Sequence, residues 1–336
     1  MRLLRAIPAP DAPSPRLPTE APRFPADEPG LAADAPRLPA GPRILTIGAF
    51  DGLHLGHRAI IGAAIAMAKR QGGSLTVVSF EPTPAEFFAR GEPPARLTCF
   101  RQRFEQLDAL GVDQLFCPNF RTVNTCDHER FAREILSEGL KASHVVVGHD
   151  FRYGAGRAGD VESLRASGRR LGFDVTVVEA VFLDGERVSS TRIRALLEQG
   201  ELARARRMLG RDYSMSGRVV HGLGLGHGLG FPTANVNLKR RRAPVDGIFA
   251  VEVDGLGGRP LDGVANVGSR PTVGGGKTLL EVHLFDFDRS IYGAYIRVRF
   301  VQRLRAEEKF ASLEAMQAQM HRDVAAAKAA LANRIA

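Results

Sequence analysis

The chain runs to 336 residues, 44% hydrophobic and 25% charged, with a formal charge of +9; this exceeds the roughly 100–200 residues of one domain and predicts two. A composition in the globular range excludes a wholly disordered or fibrous chain, and no stretch reaches the ~18–20 apolar residues that cross a bilayer. The positive balance suits nucleic acid and polyphosphate substrates equally.

Residues 1–42 hold 11 of the 20 prolines. Proline fixes φ and removes a backbone donor, so this leader is expected to be disordered or locally extended, with no helix or sheet ladder. No apolar signal core develops behind Met1-Arg2-Leu3-Leu4-Arg5, and the reading is cytoplasmic. From Arg43 the pattern changes. Ile44–Ile47, Leu75–Phe80, Gln114–Cys117, His144–Val147 and Val175–Val178 read as strands, with helices near 57–70, 100–110, 128–138 and 159–171. That alternation predicts parallel βαβ units over residues 43–200, with ligands at the carboxyl ends of the strands. Cys99, Cys117 and Cys126 are odd in number and lack CxxC spacing, which argues against a disulfide framework or a zinc site.

Over residues 205–332 the elements shorten. Gly217–His221, Phe249–Val253, Leu279–Phe285 and Ala294–Phe300 read as strands between Gly- and Pro-rich turns, a spacing that predicts a small antiparallel barrel. Lys239-Arg240-Arg241-Arg242, the only compact basic run, reads as a solvated loop. A helix is expected from about Ala306, with Glu307 and Glu308 in its first turn. Its apolar face would carry Phe310, Leu313, Met316, Met320 and Val324.

Two segments of the first domain carry chemistry. Gly48-Ala49-Phe50-Asp51-Gly52-Leu53-His54-Leu55-Gly56-His57 lies between the first strand and the first helix. Glycines 48, 52 and 56 let the backbone turn and approach a ligand, and the helix start offers an anion site. Two histidines three apart, at the start of that helix, would share one face and could donate to phosphate oxygens; a paired-His metal site is the rival, but no third ligand stands at zinc spacing. Arg187-Val188-Ser189-Ser190-Thr191-Arg192-Ile193-Arg194 sets hydroxyls beside arginines, as a phosphate site would; the plain alternative is a helix cap with solvated arginines.

In the second domain Gly222-Leu223-Gly224-Leu225-Gly226-His227-Gly228-Leu229-Gly230-Phe231-Pro232-Thr233-Ala234-Asn235 could cup a phosphate chain, although no Walker Lys-Ser/Thr closes it. Glu281-Val282-His283-Leu284-Phe285 would place Glu281, His283 and Phe285 on one strand face.

A parallel sheet with an HxGH turn and a late SSTxxR loop resembles the nucleotidyltransferase superfamily. With Phe80-Glu81-Pro82-Thr83-Pro84, Gly148-His149-Asp150-Phe151-Arg152-Tyr153-Gly154 and Pro232-Thr233-Ala234-Asn235 added, the chain from residue 43 to about 330 resembles the bacterial bifunctional riboflavin kinase/FAD synthetases. The resemblance implies a Rossmann-like α/β FMN adenylyltransferase domain followed by an antiparallel β-barrel riboflavin kinase domain with a C-terminal helix. It implies that His54 and His57 act on ATP phosphates, within a nucleotide site that includes Gly48, Phe50, Asp51, Gly56 and Asp150. Arg187, Ser190, Thr191 and Arg194 would form its phosphate loop. In the barrel, Gly222, Gly230 and Pro232 would face ATP, Thr233 and Asn235 would ligate Mg²⁺, and Glu281 would be the general base; Asp150 would also lie by Mg²⁺. Asn266-Val267-Gly268-Ser269-Arg270-Pro271 would be a turn beside the nucleotide or flavin. Thr83, Tyr153 and His227 depart from the usual histidine, phenylalanine and arginine. The implied substrates and products are riboflavin, FMN, FAD and ATP, with no nucleic acid or membrane partner. Two rivals remain: a single-activity FMN adenylyltransferase with a ligand-binding barrel, and a basic nucleic-acid-binding protein. The second lacks support, since a chain with no tryptophan and four tyrosines has no stacking platform.

Overall fold

The structure is a computed structural model that describes residues 1–6, 40–222, 230–238, 240, 242–270 and 277–334. The chain divides into two compact units, Met1–Pro94 with Arg103–Arg187, and Ala95–Gln102 with Val188–Ala336.

Chain order in the first unit alternates strand and helix. β1 (Arg2–Leu4) and β2 (Arg43–Ile47) precede α1 (Leu55–Gln71); β3 (Ser74–Val78) is followed by α2 (Pro84–Phe87) and α3 (Phe100–Ala109). β4 (Gln114–Phe116) leads to α4 (Phe120–Val123) and α5 (His128–Arg130), which continues as a π-helix over Phe131–Gly139. β5 (His144–Gly148), α6 (Val161–Leu171) and β6 (Asp174–Val178) complete the sheet, and a hairpin of β7 (Phe182–Leu183) and β8 (Glu186–Arg187) ends the unit. The six strands are all parallel, in the order β1-β4-β3-β2-β5-β6. A parallel sheet covered on both faces needs continuous apolar strands; all five residues of β3 are buried, as are Ile44 to Ile47 of β2. The order matters for function. From β2 the chain steps one way to β3 and β4, then returns to the other side for β5 and β6, so the carboxyl ends of β2 and β5 flank the switch point where open sheets take ligands.

The expectation that the leader builds no sheet ladder fails at its first residues. Arg2–Leu4 pairs with Gln114–Phe116, Leu4 is buried, and the Met1 amine meets Asp108 Oδ1 at 2.7 Å. The first proline is Pro8, so these residues keep the N–H groups a ladder needs. Residues 7–39 of the leader lie outside the described residues.

The second unit opens with α7 (Ser190–Glu198) and α8 (Leu202–Leu209). Six strands follow: β9 (Ser214–Val220), β10 (Ala234–Asn237), β11 (Gly247–Asp254), β12 (Leu261–Arg270), β13 (Lys277–Leu284) and β14 (Tyr295–Arg305). They close as an antiparallel barrel, β10-β13-β12-β11-β14-β9, with β9 returning to β10. Two of these strands escaped the sequence reading. β10 is only four residues long, and β12 carries Asp, Asn and two glycines, residues depleted in strands. Barrel closure pairs them regardless. The basic run is also not a plain solvated loop: Arg240 is 8% exposed and donates through Nη1 to the Arg96 carbonyl at 3.0 Å and to Tyr213 Oη at 3.2 Å.

The last helix, α9 (Leu313–Ala332), starts later than the periodicity suggested. Ser312 caps it, accepting from Ala315 N at 3.2 Å, and Glu314 takes the first-turn acidic position assigned to Glu307 and Glu308. Leu313 is 63% exposed, while Ala327 and Leu331 pack against Ala250 and Phe285 of the barrel wall. Asp323, 6% exposed, accepts from Arg305 Nε at 2.9 Å and Nη2 at 2.8 Å, tying α9 to β14. Asp323→Ala takes from Arg305 its buried partner and leaves it Glu308 at 3.4 Å, so the cost is about 3 kcal/mol, the low end for breaking a buried pair. Thermal unfolding of the variant is expected to shift down by about 5–10 °C; an unchanged Tm would remove this pair from the account of stability.

Candidate active sites

At the carboxyl end of β2 the chain turns through Gly48–Leu53 into α1. Gly52 has φ 85°, which suits glycine, but Phe50 (φ 49°) and Leu53 (φ 40°) also occupy the left-handed region. Strain at two bulky residues is kept only where surroundings over-determine it, and they do. Phe50 is 1% exposed, with its ring against Gly48, where an added Cβ would come within 3.1 Å. The Ala49 carbonyl accepts from Arg103 Nη1 at 2.8 Å and Ser79 Oγ at 3.2 Å, and Arg103 reaches Glu81 Oε1 at 2.5 Å. Arg103 is 2% exposed, so the turn is bolted to the sheet by a buried cation with a carboxylate partner.

The outcome is a fixed histidine pair. His54 is the N-cap of α1, its Nδ1 accepting from His57 N at 3.3 Å, and the two rings stack at 3.7 Å. Phe50 meets His57 edge-on at 5.3 Å. Asp51 is buried, and Gly56 sits in the first turn of α1. Imidazoles thus join a helix start at the switch point, an arrangement that takes anions.

Across the same switch point, Asp150 follows β5 and pairs with Arg187 of β8 at 2.5 Å. Burial alone would raise the Asp150 carboxyl, but the Arg187 hydrogen bond and charge, with His149 nearby, hold it below the usual carboxylate range. The remaining phosphate-loop residues belong to the second unit. Ser189 caps α7, accepting from Arg192 N at 3.2 Å; Ser190 and Thr191 form its first turn, and Arg194 Nε donates to the Ala95 carbonyl at 2.6 Å. Two departures from the family pattern have local explanations. Thr83 caps α2 in a reciprocal box with Glu86, and Tyr153 is buried, stacked on Phe151 at 5.4 Å.

In the barrel, Gly222 and Gly230 flank residues 223–229, which lie outside the described residues together with His227. A Cβ on Gly222 would strike Asn235 Nδ2 at 2.1 Å, so the start of the glycine segment lies against the Asn235 carboxamide. Pro232 is pinned through its carbonyl, which accepts from His283 Nδ1 at 2.9 Å; His283 therefore has structural work. Register pairs Asn235 with Glu281 and Glu281 with Asn266. Directly opposed residues share a face. Val236, Leu280, Val282, Ala265 and Val267 are buried, so alternation sets Asn235, Glu281 and Asn266 as one row on the outer face. Among the described residues none of these three side chains has a hydrogen-bond or ionic partner. Thr233 is partly buried two residues before Asn235.

Residues 39–192 match the FAD synthetase family and residues 209–331 match riboflavin kinase. The chain is 44% identical over 281 residues to the bifunctional riboflavin kinase/FMN adenylyltransferase of Escherichia coli K12, covering 83% of this chain and 90% of that one. The protein of the same name from Pseudomonas fluorescens is 45% identical over 288 residues, covering 85% and 92%. This chain belongs to the bifunctional riboflavin kinase/FMN adenylyltransferase family. A crystal structure titled macrolide-efflux protein, from Streptococcus pneumoniae, aligns over 85% of this chain and 93% of that one, with 27% identity and a TM-score of 0.73. Among the described residues no helix is long and apolar enough to cross a membrane.

Sequence reasoning missed three features of this family member. Arg103 on an amphipathic helix reads as solvated, and only the folded sheet brings it to Ala49. Asn266 was expected in a turn, but residues up to Arg270 belong to β12, which the ladder with β13 holds extended. Past β3, Phe87, Phe88 and Phe120 form an edge-to-face cluster, with Phe88 59% exposed. A large exposed aromatic invites a ring partner, and the Phe87-Phe88 pair was the available signal.

Proposed function

We propose that the family's two reactions divide between the two units, with adenylyl transfer at the histidine turn and phosphorylation at the outer face of the barrel. The enzyme makes FMN from riboflavin and ATP and converts FMN to FAD; what is proposed is which residues do each. The observation that carries the first assignment is the HxGH turn at the switch point of a parallel sheet, where a nucleotide's phosphates would meet His54, His57 and the start of α1. Gly48, Phe50, Asp51 and Gly56 shape that turn. Arg187, Ser190, Thr191 and Arg194 keep their assignment to the ATP phosphate chain from their motif; Arg187 would exchange Asp150 for a phosphate as ATP enters.

In that reaction an FMN phosphate oxygen attacks the α-phosphorus of ATP and pyrophosphate leaves. Little covalent work falls to the protein, so aligned reactants and donors to the developing charge supply the rate. The two imidazoles and the α1 N–H groups act on the oxygens around phosphorus. The exposed Phe88 cluster offers the flavin ring a stacking surface.

In the barrel, Glu281 takes the proton from the attacking riboflavin hydroxyl while the γ-phosphoryl group passes to it from ATP. Gly222, Gly230 and Pro232 would frame the triphosphate. The Thr233 hydroxyl and the unengaged Asn235 carboxamide beside Gly222 are hard oxygen donors that fit Mg²⁺, with Asp150 a candidate in the other unit. The described residues hold no cluster of three or more His, Cys, Asp or Glu. When bound, Mg²⁺ neutralises phosphate charge.

The direct test is incubation of purified protein with riboflavin, ATP and Mg²⁺, followed by chromatographic separation of the flavins. FMN and then FAD are expected in sequence. Release of FAD from supplied FMN, with none from riboflavin, would leave only the adenylyltransferase half of the reading.

A further inference from the structure

The row on the outer face of the barrel contains one atom that neither the fold nor the proposed chemistry accounts for. Asn266 Oδ1 is buried and has no hydrogen-bond partner among the described residues. Buried polar atoms in folded proteins are satisfied in the great majority, and each exception calls for a reason. The fold could have avoided this one. Register sets Asn266 directly across from Glu281, with Asn235 on Glu281's other side, and a shorter or apolar residue would complete β12 equally well. The outer face continues to Gly268, where an added Cβ would meet Glu307 Oε1 at 2.2 Å, so the segment after β14 overlies this part of the face. The carboxylates of Glu281, across from Asn266, and of Glu307, over Gly268, accept hydrogen bonds when ionised and cannot satisfy another acceptor. What this oxygen lacks is a donor, and a ligand on this face can bring one.

We propose that Asn266 contacts the flavin substrate directly, its Oδ1 accepting a hydrogen bond from a hydroxyl of the polyol chain next to the hydroxyl that attacks ATP. The inference rests on the assignment of Glu281 as the base. Side chains of opposed strand residues stand about 4.5–5.5 Å apart at Cβ. A base that receives the proton of the terminal hydroxyl thus has its neighbour over the preceding part of the same chain. Phosphate oxygens of ATP carry few protons at neutral pH, whereas every hydroxyl of the polyol is a donor. The contact would align the chain so that its terminal hydroxyl, and no other, reaches Glu281. Asn266 is then a residue for substrate selection as well as affinity.

Asn266→Ala and Asn266→Ser are compared with the native enzyme in the kinase reaction, using riboflavin and a series of side-chain deoxyflavins. Leaving a substrate donor and its site unmatched lowers kcat/KM by about ten- to a hundredfold. That loss is expected for riboflavin with Asn266→Ala, chiefly in the KM for riboflavin, with the KM for ATP and the Mg²⁺ requirement unchanged. One deoxyflavin should already show the loss on the native enzyme and lose little more on the variant. FAD formation from FMN, measured on the same preparations, reports that the protein is folded. The proposal is overturned if the variant matches the native enzyme on riboflavin, if all flavins lose equally, or if the ATP or Mg²⁺ dependence moves instead. Should Asn266→Ala prevent folding, the deoxyflavin series on the native enzyme decides alone: no analogue with a selective penalty means no such contact. Glu281→Gln separates the two levels. Full kinase activity in Glu281→Gln removes the site itself, whereas an inactive Glu281→Gln beside a normal Asn266→Ala removes only this inference.

Discussion

His57→Ala is expected to lower FAD formation from FMN by at least about a hundred- to a thousandfold while FMN formation from riboflavin continues. That range is what removal of one donor to a developing oxyanion costs in other enzymes. His57 stacks on His54 at 3.7 Å and receives the Phe50 edge, so its loss also frees the neighbouring ring to move. His57→Asn serves as the companion variant because it retains a side-chain donor and much of the bulk. Partial recovery in Asn would separate lost donation from lost packing. The readout is FAD and pyrophosphate from FMN and ATP, measured beside FMN from riboflavin on one preparation. Equal damage to both reactions would defeat the division of chemistry between the units.

The reciprocal variant is Glu281→Gln. FMN formation should fall by about 10²–10⁴-fold, the span of a positioned general base, with FAD formation from supplied FMN intact. The structure makes this a clean substitution. Glu281 is partly buried on β13 between Asn235 and Asn266, and its carboxylate bonds to no described residue. Gln therefore removes the base without severing an internal contact, and stability should be unchanged. If Glu281→Gln kept its kinase rate, the proton would have to leave by another route, and the row on the barrel face would have no catalytic meaning.

Much of this architecture could be read from one sequence because it rests on periodicity. The strands of the parallel sheet are continuous apolar runs, and each was anticipated to within a residue or two except β1, masked by the prolines that follow it. Four of the barrel's six strands were visible. β11 and β14 announce themselves through β-branched and aromatic residues, whereas β10 and β12 are strands because their neighbours pair with them. The last helix was placed early because a three- and four-residue rhythm continues upstream of Ser312, and only the cap decides where the helix starts.

The motifs were legible as strings but not as arrangements. HxGH suggested two histidines on one helical face; in the fold His54 precedes the helix and caps it. Nothing in the string suggested that Arg103, more than 50 residues away in sequence, would hold the turn through the Ala49 carbonyl. Nor does a sequence show that Glu281 stands between two asparagines, since that follows from barrel register alone.

Because the His57 amide can only donate, His54 Nδ1 must be the lone-pair nitrogen of that ring. The uncharged imidazole then carries its hydrogen on Nε2, the far side from the backbone. The helix cap thus fixes the tautomer: with Nδ1 occupied as an acceptor, the role left to Nε2 of the uncharged ring is that of a donor.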